Sequence, residues 1–99
     1  MNADPSATIH PHLTYVHEVR MRIMPASNKL LALSLMAKEI ARDTHAWWNT
    51  HTHTIFAFPT HELRDRFEAA AVEVVNGPEL SWDEVVVRVG RVKGALLIV

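Results

Sequence analysis

The chain contains no cysteine in its 99 residues. Disulfides, thiolate nucleophiles and cysteine-based zinc sites are therefore excluded, and the composition fits a reducing, cytoplasmic setting. Charge of one sign is also missing. Ten Lys and Arg stand against eleven Asp and Glu, for a net −1. That argues against a nucleic-acid binder driven by bulk charge. No apolar run approaches the roughly 18 to 20 residues of a membrane span, and the closing ALLIV is too short to cross a bilayer. The opening MNADPSATIHPH has neither a basic region nor an apolar core, so it does not read as a signal peptide. There is no G-x-S-x-G, serine triad or P-loop.

What the chain does have is histidine. Seven occur, and His45, His51, His53 and His61 fall in one stretch, THAWWNTHTHTIFAFPTHEL. Their ordinary pKa near ~6.5 makes the net charge depend on pH. Hydrophobic residues make up 48% of the chain, which with this length predicts one domain with a real core over 13–99. Residues 1–12 carry Pro5 and Pro11 without periodicity and read as a flexible arm.

Period and punctuation set the expected elements. Residues 13–24 alternate, with Leu13, Tyr15, His17, Val19, Met21 and Ile23 on one face: a strand. Pro25 stops it, and Ser27 or Asn28 can cap a helix over 28–43, whose Leu30, Leu33, Met36 or Ala37, and Ile40 form an apolar stripe. Residues 46–58 are rich in strand formers and contain no glycine or Asn-Gly pair, so one long strand is expected, ended by Pro59. Its faces would then be His45, Trp47, Asn49, His51 and His53 on one side, and Trp48, Thr50, Thr52, Thr54, Phe56 and Phe58 on the other. Thr60 caps a second helix over 61–75. Asn76-Gly77-Pro78 ends it, with Asn or Gly in a left-handed cap. Residues 79–99 read mostly as strand. Ser81-Trp82-Asp83-Glu84 matches a capping box, but the β-branched Val85, Val86, Val87, Val89 and Val92 argue for strand, with a turn or bulge at Gly90 to Gly94 and ALLIV as the last strand. The order β-α-β-α-β-β predicts a two-layer α+β sandwich, an antiparallel or mixed sheet with two helices on one face. The ferredoxin-like arrangement is the nearest common architecture, and it fixes no function.

Several constellations could carry chemistry. His51-x-His53 on a strand puts two imidazoles on one face about 7 Å apart at their bases, a spacing that can converge on zinc, nickel or copper; a third ligand is still needed. Arg20, Arg22, Arg88, Arg91 and Lys93 would make a nucleic-acid patch only if their strands were neighbours, with Trp47 as a stacking surface. Trp47 on the polar strand face and the apolar ALLIV end point to contacts with another chain, as a homo-oligomer or a subunit of a larger assembly. The expected binding surface is Trp47, Trp48, His51 and His53. No cofactor is called for beyond an ion at His51 and His53.

The segment from the first helix through THAWWNTHTHTIFAFPTH resembles the pterin-4a-carbinolamine dehydratases. That family runs strand, helix, a His-His-Pro-x-Trp type motif, a long strand, then Thr-His. The resemblance maps His45, Trp48 and His61 onto motif positions. It implies a histidine-dependent small-molecule enzyme with His45 and His61 catalytic. Thr44 stands where the family has its first histidine, Ala46 replaces the proline, and the spacing to Thr60-His61 is one residue shorter. Three functions follow: a non-enzymatic binding or assembly module acting through protein contacts, which the exposed aromatic favours; such an enzyme; or a metal-binding protein built on His51-x-His53.

Overall fold

A computed structural model describes residues 15–97, without side-chain detail beyond residue 94. The elements run β1 (His17–Arg22), α1 (Asn28–Ala41), β2 (Ala46–Asn49), β3 (His53–Phe58), α2 (His61–Asn76) and α3 (Trp82–Leu97). The expected N-terminal arm, residues 1–12, lies outside the described residues.

Strand β1 forms where alternation is cleanest: Val19 and Met21 are buried and Arg20 and Arg22 exposed. Helix α1 starts at Ser27, whose Oγ accepts from the Leu30 N–H at 3.3 Å. Its stripe of Leu33, Met36, Ala37 and Ile40 is buried as expected. Helix α2 starts at Thr60, whose Oγ1 accepts from the Leu63 N–H at 3.2 Å, and buries Phe67, Ala71 and Val74. It stops at Gly77, but not through a left-handed cap: Gly77 has φ −88°, and no described glycine has positive φ. What Gly77 supplies is room. A Cβ there would lie 2.8 Å from the Glu73 carbonyl oxygen.

The sheet is antiparallel, in the order β1-β3-β2. Its helix-facing side carries Val19, Met21, Phe56 and Phe58, packed with the buried sides of α1, α2 and α3 into one core. Phe67 binds the layers together, its ring centroid 4.6 Å from that of Phe56 and 5.2 Å from that of Phe58. Each such phenyl group withdrawn from water contributes about 2–3 kcal/mol. The α+β class with helices on one sheet face is thus present, but the described residues give β-α-β-β-α-α with three strands, not β-α-β-α-β-β. The likeness to a ferredoxin-like sandwich extends no further than a helix-covered antiparallel sheet.

Two expectations fail for physical reasons. Residues 46–58 are a hairpin, not one long strand. Thr50 makes the turn that no glycine was there to make: its Oγ1 accepts from the Thr52 N–H at 3.2 Å and the His53 N–H at 3.0 Å, while its N–H donates to the His53 carbonyl at 2.8 Å. Residues 82–97 are a helix, not a strand. The capping box is real, with Ser81 Oγ accepting from the Glu84 N–H at 3.3 Å and Glu84 Oε1 accepting from the Ser81 N–H at 3.1 Å. Val85 is fully buried, and Val89 and Val92 pack against the core at helical spacing. A β-branched residue costs a helix well under about 1 kcal/mol, less than burying one valine returns. Gly90 and Gly94 lie inside this helix, not at a turn or bulge. ALLIV is not a last strand: residues 95–97 continue α3, and residues 98–99 lie outside the described residues.

The first turn of α1 ties the helices together. Asn28 Nδ2 donates to the Leu80 carbonyl at 2.7 Å, and Lys29 Nζ donates to the carbonyls of Gly77 at 2.6 Å and Val75 at 3.3 Å.

Candidate functional site

The hairpin redistributes the histidine stretch. Trp47 pairs with Phe56 and Asn49 with Thr54, so Trp47 and Asn49 join the helix-facing side. Trp47 is half-buried and stacks on Phe56, ring centroids 5.7 Å apart and planes at 23°. It is a core-edge residue, not the exposed docking aromatic expected from a single strand. Trp48 pairs with Ile55 on the opposite side. There Ile55 is buried between its cross-strand neighbours Trp48 and Arg20.

His51 sits exposed in the turn, and His53 opens β3 half-buried, its Nδ1 2.7 Å from Thr52 Oγ1. They are not consecutive members of one strand face, so the expected ladder of His45, His51 and His53 does not form. Among the described residues, no group of three histidine, aspartate or glutamate side chains is placed to hold a metal ion. The arginines do not gather either. Arg20 and Arg22 lie on the β1 face away from the helices, while Arg88, Arg91 and Lys93 belong to α3; Arg88 is engaged by Glu73 at 3.0 Å.

A different grouping appears at one end of the sheet. His17 pairs with Phe58 across β1 and β3. His61 opens α2 three residues after Phe58, and its ring meets that of His17 edge-on with centroids 6.0 Å apart. His45 immediately precedes β2 and continues the Ala46–Ala57 ladder toward Phe58. The structure therefore gathers His17, a residue that reads from sequence as plain core, with His61. It leaves Trp48 on the far side of the sheet from the helices. Strand alternation in 13–24 was the signal available for His17; its proximity to His61 required the tertiary fold.

His45 is the most unusual of the three. Only 4% of it is exposed, and its buried Nδ1 finds no hydrogen-bond partner among the described residues. Burial holds its pKa below the usual histidine value of 6.5, against smaller upward pulls from the Arg42 backbone and the Asp43 carboxylate. The loop that positions it is strained. Arg42 caps α1 at φ 54° and ψ −116°, a region that suits glycine, with its N–H donating to the Lys38 carbonyl at 2.8 Å. Thr44 closes the loop, its Oγ1 donating to the Ala41 carbonyl at 2.7 Å.

No protein-family model, curated protein or solved structure matches the chain. Function rests on the molecule's own surfaces.

Those surfaces are uneven. A cleft of ≈ 150 Å³ runs between β1 and α2, lined by Val19, Met21, Glu68, Ala71, Val72 and Val75 among others. A more open depression of ≈ 220 Å³ lies on α3 at Asp83, Glu84, Val87, Arg88 and Arg91. Neither includes a histidine. The largest apolar exposure on a helix is on α3: Trp82 is 56% exposed, Val86 53% and Val87 52%. Among the described residues, no helix is long and apolar enough to cross a membrane.

Proposed function

We propose that this chain is a small cytoplasmic, non-enzymatic binding or assembly module that works through protein–protein contacts. The observation that carries this reading is the outward face of α3. A tryptophan and two valines of one helix are more than half exposed there, whereas isolated surface apolar residues carry no such message. Tryptophan is also the residue type most enriched at the energetic centres of interfaces. The exposed aromatic that the reading needs is Trp82, not Trp47. Light scattering of the full chain over a wide concentration range tests it in its homo-oligomeric form. A mass above that of one chain supports the proposal, and a monomer at every concentration overturns it.

A second reading, a histidine-dependent small-molecule enzyme, is favoured by His45 Nδ1. Buried polar atoms are nearly always satisfied, and one that is not needs a partner from elsewhere. A neutral imidazole near physiological pH suits a general base. Nitrogen NMR of His45 during titration with a reduced pterin tests this: a perturbed Nδ1 resonance supports it, and an unchanged one refutes it.

A further inference from the structure

We propose that the partner of the α3 face is a second copy of this chain, docked by an antiparallel two-fold pairing of α3 with α3. The inference rests on the assembly reading and names its partner. Trp82, Val86, Gly90 and Gly94 recur at four-residue steps along α3, so they lie along one side of it. Trp82, Val86 and Gly90 are exposed, and a Cβ built at Gly90 or Gly94 meets nothing within 4 Å. The glycines therefore leave room that the other described residues do not use.

Large residues occupy the first half of the stripe and absent side chains the second. A two-fold axis passing α3 at Arg88 sets Trp82 against Gly94 of the second copy and Val86 against its Gly90. A two-fold contact is isologous, so each pairing occurs twice and the bulk of one helix fills the space of the other. Glycine at the crossing also lets two helix backbones approach closely, which a parallel arrangement with Trp82 opposite Trp82 would prevent. Charge follows the same axis. Asp83 and Lys93 are both exposed and flank the stripe, and the antiparallel register puts each opposite the other. A parallel register would set Asp83 against Asp83 and Lys93 against Lys93, which repel.

The experiment measures mass and dimer dissociation constant for the full chain and three variants by light scattering and analytical ultracentrifugation. Gly90→Leu is the decisive variant. It adds a strong helix former in open space, so the monomer should melt no lower, yet the dimer should be lost. Asp83→Lys should raise the dissociation constant about tenfold through two repulsive pairs. Asp83→Lys combined with Lys93→Asp should restore it. A dimer that survives Gly90→Leu unchanged, or a double swap no better than the single, overturns the α3 pairing while leaving assembly through another surface standing. A wild-type monomer at all concentrations overturns both.

Discussion

Thr54 and Asn49 face each other across the β2–β3 hairpin, and the fully buried Thr54 hydroxyl donates to Asn49 Oδ1 at 2.7 Å. Thr54 Oγ1 also accepts from the Met24 N–H at 3.0 Å. One hydroxyl thus holds the hairpin closed and fastens the chain leaving β1 to it.

Replacing Thr54 with valine keeps the shape and removes both bonds, leaving the Met24 N–H and Asn49 amide short of a partner. Urea unfolding should show a loss of about 2 kcal/mol. A loss under half of that would mean that water takes over both bonds.

Arg42 holds a positive φ of 54° that glycine adopts more readily. Relief of a strained non-glycine conformation is worth about 1–3 kcal/mol, less the roughly 0.5–1 kcal/mol that glycine loses through its freer unfolded chain. Arg42→Gly should therefore raise the melting temperature, by calorimetry, with no change in helical circular dichroism. A lower melting temperature would show that the Arg42 side chain contributes more than its backbone costs.

His45 makes stability depend on pH in a definite direction. Burial depresses its folded pKa below the ordinary 6.5. Below that value the unfolded chain takes up a proton that the folded chain refuses, so stability is fully present above it and declines as pH falls toward the folded pKa. The chain should melt lower at about pH 5.5 than at about pH 7.5. His45→Met, which removes the orphan nitrogen in favour of an adaptable apolar side chain, should flatten the dependence. Equal slopes in both proteins would exclude His45 as its source.

Gly77→Ala should destabilise by about 1–3 kcal/mol, because its Cβ would press to 2.8 Å on the Glu73 carbonyl oxygen, a backbone atom that cannot swing aside. Thermal unfolding of this variant beside Gly90→Ala makes the contrast. The second substitution enters open space within a helix and should be neutral or stabilising.

The elements that the sequence made legible are those with one dominant local signal. Alternation around Val19 and Met21, the Ser27 and Thr60 caps, and the Leu33–Ile40 stripe each point to the structure observed. The rest was hidden where two signals competed. At 50–52 no glycine marks a turn, so one long strand was expected, and a threonine hydroxyl makes the turn instead. That reset which residues share a face and moved Trp47 from the surface to the edge of the core. At 82–97 β-branching outweighed the Ser81–Glu84 capping box in a reading by composition, whereas in the fold the burial of Val85 in the core decides. Of the candidate site, His45 and His61 were visible as residue types. The His17–His61 contact and the open stripe on α3 depend on tertiary placement and could not be read from spacing alone.

The bonds that Asn28 and Lys29 make to Val75, Gly77 and Leu80 give an outlying connection the character of an interior one. The segment between α2 and α3 is where a surface loop would ordinarily accept a tag, a cut or a new chain end. Here its Gly77 and Leu80 carbonyls accept from the Lys29 and Asn28 side chains in the opening turn of a helix some fifty residues upstream in sequence. An insertion at Gly77–Leu80 would therefore loosen α1 and release α3 together, and the three helices should exchange their amide hydrogens as one cooperative unit.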